Sequence, residues 1–242
     1  MKSKKLKKTK SAKAGLKLSV DKTHKTLRSV MWKNHVWGED NVTYWTGGLL
    51  VGYDTHIYLT AIIEYFTREI ITNAGNNAID TDIVTIEDIV RGIQSDKDLN
   101  SYIYGVNSKE VKTLKGFCPC GISKIPSNTD KSIEVISKEI SHQNFSDLNK
   151  KRIILDKQLN NIFSEIHPHL KLEKKSLQFL VILIQNIVDS LSNQAINITK
   201  THYPRTITTS HIKSAIEFTV PIQLGEKANK AGLKALTLYS SY

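Results

Sequence analysis

Leu177-Gln178-Phe179-Leu180-Val181-Ile182-Leu183-Ile184-Gln185-Asn186-Ile187-Val188 is the most apolar stretch of the chain, and its reading decides the fold. Leu177, Leu180, Val181, Ile184, Ile187, Val188 and Leu191 recur at the spacing that gathers side chains on one face of an α-helix. Phe179, Ile182 and Leu183 carry the apolar surface past half of the circumference, so this helix requires neighbours on several sides. Gln178, Gln185 and Asn186 interrupt the run, which falls short of the ~20 residues of a membrane span.

Working outward, a second segment repeats the pattern: Leu59, Ile62, Ile63, Phe66 and Ile70 fall at i, i+3, i+4, i+7 and i+11. Each long helix is followed by a polar break, a short β-prone stretch and a new helical start. The first is Ile83-Val84-Thr85-Ile86-Glu87-Asp88-Ile89, where Thr85 and Asp88 have capping-box spacing. The second is Thr206-Ile207-Thr208-Thr209-Ser210-His211-Ile212, with hydroxyl residues at the N-cap. The two halves therefore share one plan of short, long and short helix. A helix of about 27 residues is roughly 40 Å long and cannot be covered by two short ones. Two such units crossing at their long helices solve the problem; periodicity alone leaves an ordinary basic helical bundle open.

The 242 residues carry a formal net charge of +11, which favours polyanions such as nucleic acid or an anionic membrane surface. Met1 to Lys17 holds Lys2, Lys4, Lys5, Lys7, Lys8, Lys10, Lys13 and Lys17 and no acid, so residues 1–15 are expected to be a disordered basic tail. No apolar h-region follows them, and a soluble, intracellular protein is expected. Asn107 to Asn149 contains Gly116, Pro119, Gly121 and Pro126 and reads as a linker, with a helical turn or two near Ile133 to Ile140. Cys118 and Cys120 are the only cysteines, which excludes a disulfide framework and suggests a reducing compartment. One residue between them is short for a zinc knuckle, no second pair exists, and His142 is the sole nearby partner, so no metal is expected. His167-Pro168-His169 reads as a helix end with a proline stop. The absence of a nucleophile elbow, a phosphate-binding glycine loop and paired metal ligands predicts a non-enzyme without cofactor.

Ala14-Gly15-Leu16-Lys17-Leu18-Ser19-Val20 and Asp21-Lys22-Thr23-His24-Lys25-Thr26-Leu27-Arg28 resemble the opening and first helix of histone 2A. The resemblance resumes at Val51-Gly52, runs through Ile57 to Thr67 and Ala74-Gly75-Asn76, and closes with Ile93 to Asn100. The rear half is similar to histone 2B from Ile166-His167-Pro168 to the C-terminus, through Thr206-Ile207-Thr208, Pro221 to Leu224, Ala231 to Leu236 and Tyr239-Ser240-Ser241. These matches cover about three quarters of the chain. They imply an all-α protein with two tandem histone folds that clasp as an intramolecular handshake pseudo-dimer. The expected division is a tail over 1–15, a histone 2A-like fold over 16–106 with its first loop enlarged over 29–56, a linker over 107–149, and a histone 2B-like fold with a C-terminal helix over 150–242. Fused histones of this sort occur in large DNA viruses.

The resemblance implies a structural DNA-packaging protein that forms nucleosome-like particles through nearly sequence-blind contacts to the DNA backbone. The residues expected at phosphates are Lys13, Lys17, Lys22, Lys25 and Arg28 in the front half. In the rear half they are Lys150, Lys151, Arg152, Lys174, Lys175, Lys200, Arg205 and Thr206. Implied partners are double-stranded DNA, equivalents of histones 3 and 4, separate or fused, and a second copy of the chain, with no membrane. The implied location is chromatin, whether in a viral factory, a virion or a host nucleus. A regulatory histone-fold pair that binds selected DNA sites is the alternative.

Several positions depart from the family. Leu50 stands where it has an arginine, and the second loop of the front half carries Asp80 and Asp82 in place of basic residues, so its grip on DNA should be weaker. The family's acidic patch, a docking surface for basic peptides, is retained at Glu64, Glu69, Asp96 and Asp98. Thr72, Lys97, Gln223 and Ala231 replace acids there, so arginine-anchored partners should bind poorly. The first loop is longer by about sixteen residues and holds Trp32, Trp37, Trp45 and Tyr44, composed either to meet a neighbouring dimer or to pack on its own domain.

Overall fold

The structure is a computed structural model that describes residues 9–33, 50–79, 82–105, 156–201 and 206–242. These are mostly helical. The front half contributes α1 (Lys10–Lys13), α2 (Val20–Lys33), β1 (Leu50–Val51), α3 (Thr55–Asn76), β2 (Ile83–Val84), α4 (Ile86–Ser95) and α5 (Lys97–Tyr104). The rear half contributes α6 (Asp156–Ile166), β3 (Lys171–Leu172), α7 (Lys174–Thr201), β4 (Thr206–Ile207), α8 (Thr209–Thr219) and α9 (Ile222–Ser240). The linker, Trp37, Trp45, Tyr44, Asp80, both cysteines, the turns expected near Ile133, and Lys150, Lys151, Arg152 and Arg205 lie outside the described residues.

Both long helices form where the apolar period places them, and one core joins them. Leu59, Ile62, Ile63, Phe66 and Ile70 of α3 share it with Leu180, Val181, Ile184, Ile187, Val188 and Leu191 of α7. Phe179 and Leu183 are also buried, so the broad apolar surface of α7 is enclosed by neighbours. That helix is long and apolar enough to cross a membrane by length and composition alone, but most of it is buried inside the molecule. Thr85 and Asp88 close the capping box of α4, with Asp88 Oδ2 accepting the Thr85 N–H at 2.8 Å. At α8 the corresponding group is His211, whose Nδ1 accepts the Thr208 N–H at 3.0 Å. α6 ends at Ile166, and the ring of His167 donates from Nε2 to the carbonyl of Ile71 on α3 at 3.2 Å.

Two short parallel strand pairs tie the halves reciprocally. β1 pairs with β4, Leu50 opposite Thr206 and Val51 opposite Ile207. β2 pairs with β3, Ile83 opposite Lys171 and Val84 opposite Leu172. The C-terminal helix α9 lies along α3, where Gly232 meets the face of Tyr58; a Cβ there would come within 2.4 Å of the ring. The Tyr58 hydroxyl donates to Asn229 Oδ1 at 2.9 Å, and burial raises its pKa to about 12.

Two expectations change. Residues 9–15 are not part of a disordered tail: Thr9 caps α1, and Ala14 is buried against the fold. Charge repulsion along the segment is overcome there by tertiary contacts. The enlarged first loop is also shorter at both ends than 29–56, because α2 continues to Lys33 and α3 begins at Thr55.

Candidate nucleic-acid interface

The strand pairs determine which helix starts become neighbours. β1 and β4 lead into α3 and α8, and β2 and β3 lead into α4 and α7, so each edge sets one helix N-terminus from the front beside one from the rear. Unpaired N–H groups and the positive end of the dipole make such a junction attractive to anions.

The β2/β3 edge carries Lys171, Lys174 and Lys175, all exposed. Lys171 is a residue the sequence reading missed; its signal was its place three positions before the helix start. Asp82 is exposed at the same edge, its carbonyl accepting the Lys171 N–H at 2.8 Å. The β1/β4 edge differs: Thr206 is half-buried, and Leu50 and Tyr53 present exposed apolar surface. Lys200 is exposed near the end of α7.

On α2, Leu27, Val30 and Met31 turn into the core while Lys25 and Arg28 face water and Lys22 is half-buried. The Lys22 ammonium is held below its usual range by burial and then by the charge of Lys25. Like charges crowded in this way gain from a shared anion. Two other expected cations are turned elsewhere. Lys17 pairs with Glu165 of α6 at 3.6 Å, and Lys13 lies over the ring of Tyr239, 6.0 Å from its centroid. Lys10 donates to Nε2 of the buried His56 at 3.4 Å.

The acidic residues divide in the same way. Glu64 is not a surface residue: it is 5% exposed, and its Oε2 accepts the backbone N–H groups of Lys17 and Leu18 at 2.7 and 3.0 Å. Its Oε1 accepts from Arg68, whose guanidinium also pairs with Glu165 at 3.3 Å. Burial opposes the charge of Arg68, but Glu165 and Glu64 more than offset it, and Arg68 in turn lowers the pKa of Glu165. Asp96 caps α5 through the N–H groups of Asp98 and Leu99. Glu69, Asp96 and Asp98 remain together around Tyr65, whose buried hydroxyl is pushed to a high pKa by burial first, by Glu69 next and then by the charges of Asp96 and Asp98.

No family model matches the chain. Over 95 residues, 38% of this chain, it is 35% identical to the histone 2A.Z of Saccharomyces cerevisiae. Over 97 residues, 39% of the chain, it is 31% identical to the histone 2A.Z of Mycosarcoma maydis. The matches span 60% and 62% of those relatives' lengths. This weak homology, together with the mostly helical structure, supports a histone 2A-like fold for part of the chain.

Proposed function

We propose that the chain is a histone doublet, a structural DNA-packaging protein whose front and rear halves are tandem histone folds paired with each other. The observation that carries this reading is the reciprocal strand pairing, which sets helix N-termini of both halves side by side at two edges. The division proposed is a histone 2A-like unit over 16–106, extended by 9–15, a linker over 107–149, and a histone 2B-like unit over 150–242. Lys22, Lys25, Arg28, Lys171, Lys174, Lys175 and Lys200, with Thr206, are the described groups assigned to phosphates. Lys150, Lys151, Arg152 and Arg205 extend that set. Lys13 and Lys17 would have to leave Tyr239 and Glu165 to join it.

Linking the partners makes their association intramolecular at an effective concentration on the order of millimolar. Particles would be completed by equivalents of histones 3 and 4 and a second copy of this chain, in chromatin of a viral factory, virion or host nucleus. The test is binding to unrelated DNA duplexes across a salt series, followed by reconstitution with histones 3 and 4 and nuclease digestion. Similar affinities, a steep salt dependence and a protected DNA length are expected. Silence at low salt would overturn DNA binding, and strong preference for one duplex would replace packaging with site-selective regulation.

A further inference from the structure

The first and last described segments of the chain meet on the surface, and the packaging function does not account for how. Tyr53, just before α3, and Tyr239, in the last turn of α9, share a hydrogen bond between hydroxyls at 2.7 Å, with ring centroids 6.0 Å apart. Lys10 Nζ stands 5.9 Å from the Tyr53 centroid, and Lys13 Nζ 6.0 Å from that of Tyr239. The negative face of an aromatic ring attracts an ammonium at such distances. Asp54 and Asp21 lie near enough to add, after the Tyr53 hydrogen bond and burial, to the raised pKa of Tyr239.

Beneath the rings is a small second core of Ala14, Val20, Ile57, Ala61 and Ala235, drawn from the N-terminal segment, α2, α3 and α9. Gly15 turns the chain with φ +69°, a conformation suited to glycine, and Leu238 of α9 packs against it. Ser11 Oγ accepts the Val20 N–H at 3.0 Å and holds the turn closed. An isolated helix of four residues has no stability of its own in water. The order of α1 must come from what it docks against.

We infer that Tyr53 and Tyr239 form an aromatic pair that binds lysine ammonium groups, and that its occupant is the chain's own helix α1, which is thereby latched onto the C-terminal helix. The latch joins segments more than 200 residues apart. It ties residues 9–15 to the rear half as well as to the front.

Hydrogen exchange on the full chain tests it, read at the amides of Lys13, Ala14 and Leu16, which bond to Thr9, Lys10 and Ser11 carbonyls. Tyr239→Ala should speed their exchange ~10-fold, with Tyr239→Phe within about threefold, because the ring carries the attraction. Replacing Lys10 and Lys13 together by Gln should speed it about fivefold, whereas replacement by Arg should not. Amides of α7 serve as the control for global loosening. Unchanged exchange in Tyr239→Ala, or equal effects of Gln and Arg, would overturn the inference. If Tyr239→Ala also loosened α7, the lysine pair decides, since those side chains lie outside the core.

Discussion

The two long helices read alike in sequence and are used differently. Residues 55–64 of α3 are buried without a break, so three turns meet protein on every side. α7 instead buries a broad stripe and leaves Lys174, Lys175, Asn197 and Lys200 exposed. A helix enclosed all round can hold polar groups only if each has a fixed partner. Most of those on α3 have one: Thr55 and Thr60 donate to carbonyls, Tyr58 donates to Asn229, and Glu64 accepts from two backbone amides. The lesson is that α3 specifies how the pieces assemble, while α7 supplies apolar area and an outward charged face.

The comparison predicts where damage concentrates. The largest effect is expected for Glu64→Leu, which leaves the amides of Lys17 and Leu18 without their acceptor and Arg68 with Glu165 alone; a loss of about 3–4 kcal/mol in denaturant unfolding follows from breaking a buried charged network. Gln185→Leu, at a half-buried polar position on α7, should cost no more than about 1 kcal/mol, and equal costs would break the contrast. Next is Gly232→Val, which drives a methyl-bearing carbon into Tyr58 and should cost about 2–3 kcal/mol by overpacking. Thermal unfolding checks it, with Lys175→Val on the open face of α7 as the neutral companion.

A smaller effect sharpens the contrast through pH. His56 of α3 is held neutral, its pKa lowered to about 4 by burial first, then by Lys10 and His24, with Asp21 and the Gly52 backbone opposing. His24 is lowered in the same sense, by burial, Arg28 and Lys10. The unfolded chain takes up these protons near pH 6.5 and the folded one does not, so stability present above that value declines as pH falls towards 4. At pH 5 the loss should be about 1–2 kcal/mol. His56→Asn should remove most of that difference between about pH 7 and 5; an unchanged slope would show that His56 does not carry it. The smallest effect is for Lys174→Gln with Lys175→Gln, expected within about 0.5 kcal/mol of the original stability. Under the proposed function the same pair lowers the salt slope of DNA binding by about 2, so a stability loss with no change in slope would contradict the outward role given to α7.

Much of this was legible without coordinates where the signal was local. The periods of α3 and α7, the Thr85–Asp88 box and the stop at Pro168 each depend on residues within a few turns of one another. The sequence shows Glu64 only by its family position on a docking surface, whereas its burial depends on surroundings that the sequence does not display. Arg68 with Glu165, Lys13 with Tyr239 and His167 with Ile71 join residues about a hundred or more apart. No period announces such pairs, and a lysine in a basic run looks the same whether it faces water, a carboxylate or a ring.

By itself the sequence determined that the protein is basic and helical, with two long amphipathic helices in equivalent settings, because helical periodicity is written at about 1.5 Å per residue along the chain. Only the tertiary structure decided which cations and carboxylates are already engaged, that α1 is folded onto α9, and that α3 is the enclosed helix. Those outcomes depend on which surfaces are brought within a few ångströms of each other, and burial and Coulomb attraction act on that distance alone.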